Sequence, residues 1–181
     1  MRPLTIAVTG GIGAGKSQAL LSFARRGVPV LSADEVVHDL MRDDPDVRAA
    51  LEERFGTTDR RQIGEIVFAD REQLSWLESL LHPRVRSATE DWLADLDAKV
   101  AVTEIPLLFE TGGEGRFDAV VVITAPEDVR AARAPQARDT RSRRLISDEE
   151  KVARADFAYV NDGTLDELDE FVGQVLERLD A

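Results

Sequence analysis

Apolar residues fall into five short runs: Leu4 to Thr9, Pro29 to Ser32, Val100 to Thr103, Phe117 to Thr124 and Phe157 to Val160. Each is rich in β-branched residues and nearly continuous rather than alternating, the pattern of strands covered on both faces. The stretches between them carry helical periodicity. Together these features predict a doubly wound α/β fold, a five-stranded parallel sheet flanked by helices. Ligands of such sheets bind beyond the carboxyl ends of the strands. The residues to examine for chemistry are therefore Gly10 to Ser17, Asp34, Glu104 to Glu110, and Asn161.

The interval from Asp34 to Lys99 contains no good strand. Asp70 predicts a helix N-cap ahead of a periodic run through Leu81, and Pro83 predicts the start of a further helix to about Leu96. The expected organisation is a single domain over residues 1–181. Its core takes in 1–34 and 99–181, a helical insertion of about 35–98 forms a floor for a second substrate, and a short lid covers about 133–150. The lid boundary rests on Arg133-Ala134-Pro135, because a proline disfavours helix at the residue before it.

The pattern at Gly10-Gly11-Ile12-Gly13-Ala14-Gly15-Lys16-Ser17 matches G-x-x-x-x-G-K-[ST] in full, directly after a predicted strand and directly before a predicted helix. Glycines let the backbone N–H groups turn inward, and the helix N-terminus adds partial positive charge where a β-phosphate would sit. This makes the expected fold one of P-loop NTPase type. Gly11, Ile12, Gly13, Ala14, Gly15, Lys16, Ser17 and Gln18 are the expected nucleotide contacts, with Lys16 neutralising the β- and γ-phosphates and Ser17 ligating magnesium. No Asn-Lys-x-Asp for guanine is present, nor an Asp-x-x-Gly switch after a strand. These absences argue against a GTPase.

Asp34, just beyond the second run, is the candidate base for an accepting hydroxyl; its other reading is the N-cap of a helix through Met41. Glu104, just beyond the third, is a candidate to orient magnesium. The stretch Ile105 to Glu110 is apolar where a loop should be polar, and an exposed apolar loop usually contacts something.

Charge sharpens this picture. The net charge of −12 disfavours a nucleic-acid partner. Between Arg130 and Arg154, however, eight basic residues stand against four acidic ones. Such a segment suits a small polyanion such as a nucleoside triphosphate, its other reading being a solvated helix face. No apolar run approaches the roughly eighteen residues of a membrane span. No secretory leader opens the sequence, so a cytoplasmic location is expected. The absence of cysteine excludes disulfides, thiolate metal sites and cysteine nucleophiles.

With these residues assembled, the sequence resembles the dephospho-CoA kinases. The resemblance is carried by Thr9 to Ser17, Ser32-Ala33-Asp34, Leu81-His82-Pro83, Glu104-Ile105-Pro106-Leu107-Leu108-Phe109-Glu110, Ala155-Asp156-Phe157 and Asn161-Asp162-Gly163, in that order. It implies ATP-dependent, magnesium-dependent phosphorylation of the ribose 3′-hydroxyl of dephospho-CoA, with a nucleotide core, a helical substrate domain and a lid. It also implies that Asp34 is the base. His82, Leu107, Leu108, Phe109 and Glu110 would help form the acceptor site, and Asn161 and Gly163 would lie near the adenine.

The chain departs from the family pattern in three places. The arginine-bearing lid is several residues short, with Leu145 where a glutamine is usual. The segment between Phe55-Gly56 and Val67-Phe68 is abbreviated, and Gln18 replaces a threonine. Arg138 and Arg141 are the candidates to close on the phosphates, with Arg133, Arg143 and Arg144 as alternatives. A monomer acting on ATP and dephospho-CoA is expected. The competing readings are another P-loop nucleoside or nucleotide kinase, and a non-catalytic nucleotide binder with a shortened lid.

Overall fold

The computed structural model describes residues 2–134 and 146–180. Its elements are β1 (Leu4–Thr9), α1 (Lys16–Arg25), β2 (Val30–Ser32), α2 (Ala33–Asp43), α3 (Pro45–Phe55), α4 (Arg60–Ala69), α5 (Arg71–Asp95), β3 (Val100–Glu104), β4 (Ala119–Thr124), α6 (Glu127–Arg133), α7 (Asp148–Ala153), β5 (Phe157–Val160) and α8 (Leu165–Arg178). They form two compact units, one of residues 1–32 with 96–181, the other Ala33–Asp95.

The first unit is built on a five-stranded sheet ordered β2-β3-β1-β4-β5. Every pair in it is parallel. Neighbouring residues on a strand point to opposite faces, so Ile6 and Val8 of β1 enter one core while Ala7 enters the other. The first core is closed by Phe23 of α1 and by Leu168, Val172 and Val175 of α8. The second contains Val120, Val122, Leu108 and Phe109, with Phe117, Ile146 and Ala155 packed on it. Both faces of the central strands β1, β3 and β4 are buried, which is why these read as continuous apolar runs. Edge strand β5, read from sequence as covered on both faces, instead leaves Ala158 and Val160 exposed.

Two strands begin later than the pattern predicts. Pro29 has no N–H and enters the sheet only by its carbonyl, which accepts from the Val102 amide at 2.9 Å. At the start of β4, Asp118 stands in for a ladder partner: its carboxylate accepts from the amide and the hydroxyl of Thr5, both at 2.8 Å.

The second unit is entirely helical, its core formed by Met41, Val47, Leu51, Ile63 and Leu81. Asp44 and Asp59 cap α3 and α4. Asp70 caps α5 by accepting from the Glu72 amide at 2.8 Å and the Gln73 amide at 3.3 Å. One expectation fails here. Pro83 starts no new helix but lies inside α5, which runs unbroken for 25 residues. An interior proline loses a ladder bond and costs about 3 kcal/mol. That cost is met by the packing of Trp76, Leu77, Leu80 and Leu81 in the helical core. The Arg84 guanidinium also donates to the Leu80 carbonyl at 2.8 Å, on the turn where the ladder is a bond short. Among the described residues no helix is long and apolar enough to cross a membrane.

The α1–α8 contact is fixed by polar bonds as well as by packing. Asp169 accepts from Arg26 at 2.6 Å and from the buried Ser22 hydroxyl at 2.5 Å. Arg26, then Ser22 and Arg25, hold its carboxyl well below the usual carboxylate range. A depressed folded pKa gives stability that is whole above the unfolded value of about 3.9 and lost as pH falls from there towards the folded value. Asp169→Asn should therefore melt below the parent at neutral pH, and thermal melts should show the gap closing below about pH 4.

Candidate active site

The loop between β1 and α1 starts at Gly10 and ends at Gly15, and both glycines are dictated by what lies against them. Gly10 has φ 148°, and a Cβ there would lie 1.9 Å from the Ile123 carbonyl oxygen at the end of β4. Gly15 has φ 101°, and its Cβ would lie 2.1 Å from the Asn161 side-chain nitrogen. No other residue fits either place without displacing backbone or the amide that holds it. The loop is therefore built by close approach from the neighbouring strand ends.

Asn161, the residue after β5, is the main brace. It is 3% exposed. Its amide N–H donates to the Thr124 carbonyl at 2.7 Å. Its side-chain nitrogen donates to the Ala14 carbonyl at 2.8 Å, and its own carbonyl accepts from Arg133 at 3.0 Å. Loop, β4, β5 and α6 are thus tied together through one residue, its backbone holding β4 and α6 and its side chain holding the loop.

Lys16 opens α1 and folds back over the loop, its Nζ donating to the Gly11 carbonyl at 3.1 Å. The same Nζ lies 3.9 Å from Glu104 Oε1. Glu104 is 6% exposed, and its Oε2 accepts from the Ser32 hydroxyl at 2.8 Å. The carboxyl ends of β3 and β2 and the start of α1 therefore meet at one carboxylate. A buried charge in a water-poor setting needs such compensation. Ser17 and Gln18 are exposed at the start of α1.

Arg130 of α6 reaches the loop from the other side: a Cβ on Gly11 would lie 2.7 Å from its Nη1. That guanidinium also lies 3.5 Å from Asp148 of α7. The sequence reading counted Arg130 only in the cationic run. Its signal was the three-residue spacing to Arg133, which puts both on one helix face. With Lys16 and a ten-residue helix N-terminus, the two arginines surround the loop with positive charge, the environment a triphosphate needs.

The remaining candidates divide. Asp34 is exposed in the first turn of α2, a helix that already begins at Ala33, so it is not the capping residue. Among the described residues its carboxylate makes no side-chain hydrogen bond or ion pair. His82 is exposed within α5 rather than at a helix start. Gly163 lies in the turn ahead of the Thr164–Glu167 capping box. Arg138, Arg141, Arg143 and Arg144 lie outside the described residues.

The apolar stretch after Glu104 is not the exposed loop expected. Leu108 and Phe109 are 0% and 5% exposed and pack under β1 and β4, so their side chains serve the core. Leu107 and Pro106 remain half-buried. The Glu110 side chain is buried and paired with Lys151 of α7, Oε1 to Nζ 3.2 Å. The reason is topological: among the described residues this segment supplies Leu108 and Phe109 to the core on that face of the sheet, against Ala7, Val120 and Val122.

A family model described as dephospho-CoA kinase matches residues 4–167. A dephospho-CoA kinase of Rhodopseudomonas palustris strain HaA2 is 38% identical over 192 aligned residues, covering 98% of this chain and 95% of its own. That of Mesorhizobium japonicum is 40% identical over 168, covering 85% of each. Among solved structures, one from Thermus thermophilus superposes with a TM-score of 0.83 at 33% identity, over 99% of both chains. Dephospho-CoA kinase from Campylobacter jejuni superposes at 0.71 and 26%, over 97% of this chain and 96% of that one.

Asn161→Ala leaves the Ala14 carbonyl buried without its donor. It should cost about 1–3 kcal/mol in urea denaturation and weaken ATP binding measured by calorimetry.

Proposed function

The chain belongs to the dephospho-CoA kinase family, and on that premise we propose that it transfers the γ-phosphoryl group of ATP to the ribose 3′-hydroxyl of dephospho-CoA, giving coenzyme A and ADP. The observation that carries this reading is the glycine loop with Lys16 folded over it and Glu104 behind it, at the carboxyl ends of adjacent parallel strands. That arrangement brings a glycine loop, a cation and a carboxylate together within one small volume.

Phosphoryl transfer asks the protein chiefly for positioning and charge stabilisation. In the proposed mechanism the loop from Gly11 to Ser17 with Gln18 holds the triphosphate, and Lys16 leaves the Gly11 carbonyl to follow charge developing on the β- and γ-phosphates. Arg130 and Arg133 supply further positive charge from α6. Ser17 and Glu104 offer hard oxygen donors, the class magnesium prefers, and are the residues proposed to hold it, Glu104 most naturally through water. The metal, when bound, neutralises phosphate charge. Asp34, two residues beyond Ser32 in the chain, accepts the proton of the attacking hydroxyl. The half-buried Pro106 and Leu107, together with His82, meet the acceptor. Asn161 acts by bracing the loop that carries the phosphates, with the adenine lying towards the Asn161–Gly163 turn. Arg138 and Arg141 are proposed to close on the phosphates. A cytoplasmic monomer with ATP and dephospho-CoA as its partners is the proposed working form.

The test is ADP release with ATP and magnesium, with and without dephospho-CoA, using adenosine and nucleoside monophosphates as comparison acceptors. Release that depends on dephospho-CoA and yields CoA is the expected result; release with adenosine alone would reassign the acceptor. Asp34→Asn should leave the ATP dissociation constant near that of the parent and lower kcat by a factor of about 10² or more, because the lost acceptor is needed only as the hydroxyl gives up its proton. Lys16→Ala should weaken both, and unchanged ATP affinity would remove the loop from the nucleotide site.

A further inference from the structure

The pair Glu110–Lys151 is among the most buried charges in the described structure, with side chains 7% and 2% exposed. No hydrogen bond reaches either oxygen of Glu110 among the described residues. Lys151 at 3.2 Å is the compensating charge. Such a pair is a poor source of stability, because removing both charges from water costs about as much as their attraction returns. Apolar residues of similar size would fill the space at least as well.

The surroundings indicate what the pair does instead. Lys151 belongs to α7, a six-residue helix that grips the segment after β3 at several points. Arg154, one turn on, lies over the Phe109 ring at 4.7 Å and pairs with Glu114. The gripped segment is tied internally by the amides of Thr111, Gly112 and Gly113, which donate to the carbonyls of Leu107, Phe109 and Leu108. Its other end is fixed in the sheet, where the Ile105 amide donates to the Val8 carbonyl at 2.9 Å. Between these anchors stand Pro106 and Leu107, half-buried, two and three residues after the carboxylate beside Lys16. An apolar surface there, at the carboxyl edge of a parallel sheet, is where a substrate meets the protein.

We propose that Glu110 and Lys151 are positioning residues for the phosphoryl acceptor, their ion pair setting the path of residues 105–113 beside the phosphate loop. This rests on the functional reading given above.

The test uses the full chain. Turnover of dephospho-CoA by the parent is measured first, and its absence would overturn the functional reading alone. The double variant Glu110→Leu with Lys151→Met removes both charges together and leaves no orphan. It should melt close to the parent and bind ATP within about threefold, while its KM for dephospho-CoA rises about tenfold or more. Hydrogen exchange, read without any turnover, should show loss of protection at Thr111 to Gly113 with parental protection in the β1 amides. Parental KM together with parental protection would overturn the proposal, as would weakening of ATP binding equal to that of the acceptor. Should the double variant not fold, Lys151→Arg keeps the charge and changes the reach. It should raise the same KM about threefold, and a parental value would overturn the proposal as well.

Discussion

Everything at the carboxyl edge of the sheet depends on one steric constraint, the approach of the Ile123 carbonyl to the α-carbon of Gly10. It lets β1 turn at once into the glycine loop, so the loop rests on β4 instead of standing away from it. The same compactness brings Asn161 to the Ala14 carbonyl and Arg130 to Gly11. A loop held on so many sides presents its N–H groups already oriented, and pre-oriented donors lose little when charge arrives.

The fold was legible because its cause is local. Strands covered on both faces are apolar at nearly every position, and Leu4 to Thr9 and Ala119 to Thr124 show this without reference to anything distant. The glycine loop was legible for a similar reason: its spacing is a backbone requirement. Pro83 misled because proline's local preference was weighed without the packing of Trp76 to Leu81, which lies in the helical core and not in the dipeptide. Ile105 to Glu110 misled in the opposite sense. An apolar loop can face a ligand or cover a sheet, and which it does depends on whether another element already covers that face.

The roles found only in the structure are those of residues that act through others. Asn161 was visible as a residue after a strand, but the hydrogen bond from its side chain to the Ala14 carbonyl spans 147 positions of sequence and has no local signature. Arg130 and Lys151 were lost among eight basic residues of one segment. Charge counting registers how many cations a segment carries; it says nothing of which ones point inward. Lys151, the most deeply buried of the segment's described basic side chains, reads in sequence like any solvated lysine.

The pairing of β1 with β3 sets the order in which the chain can close. Leu4 lies opposite Val100, so the middle of the sheet joins residues almost a hundred positions apart, with the whole helical unit between them. Closing so long a loop is entropically costly before any contact rewards it, whereas the helices of residues 33–95 meet partners near in sequence. On a ribosome the helical unit is complete before β3 exists. Until Val100 emerges, β1 must wait with an apolar edge unpaired, which makes the interval of synthesis over residues 10–100 the period when this chain most needs protection from aggregation.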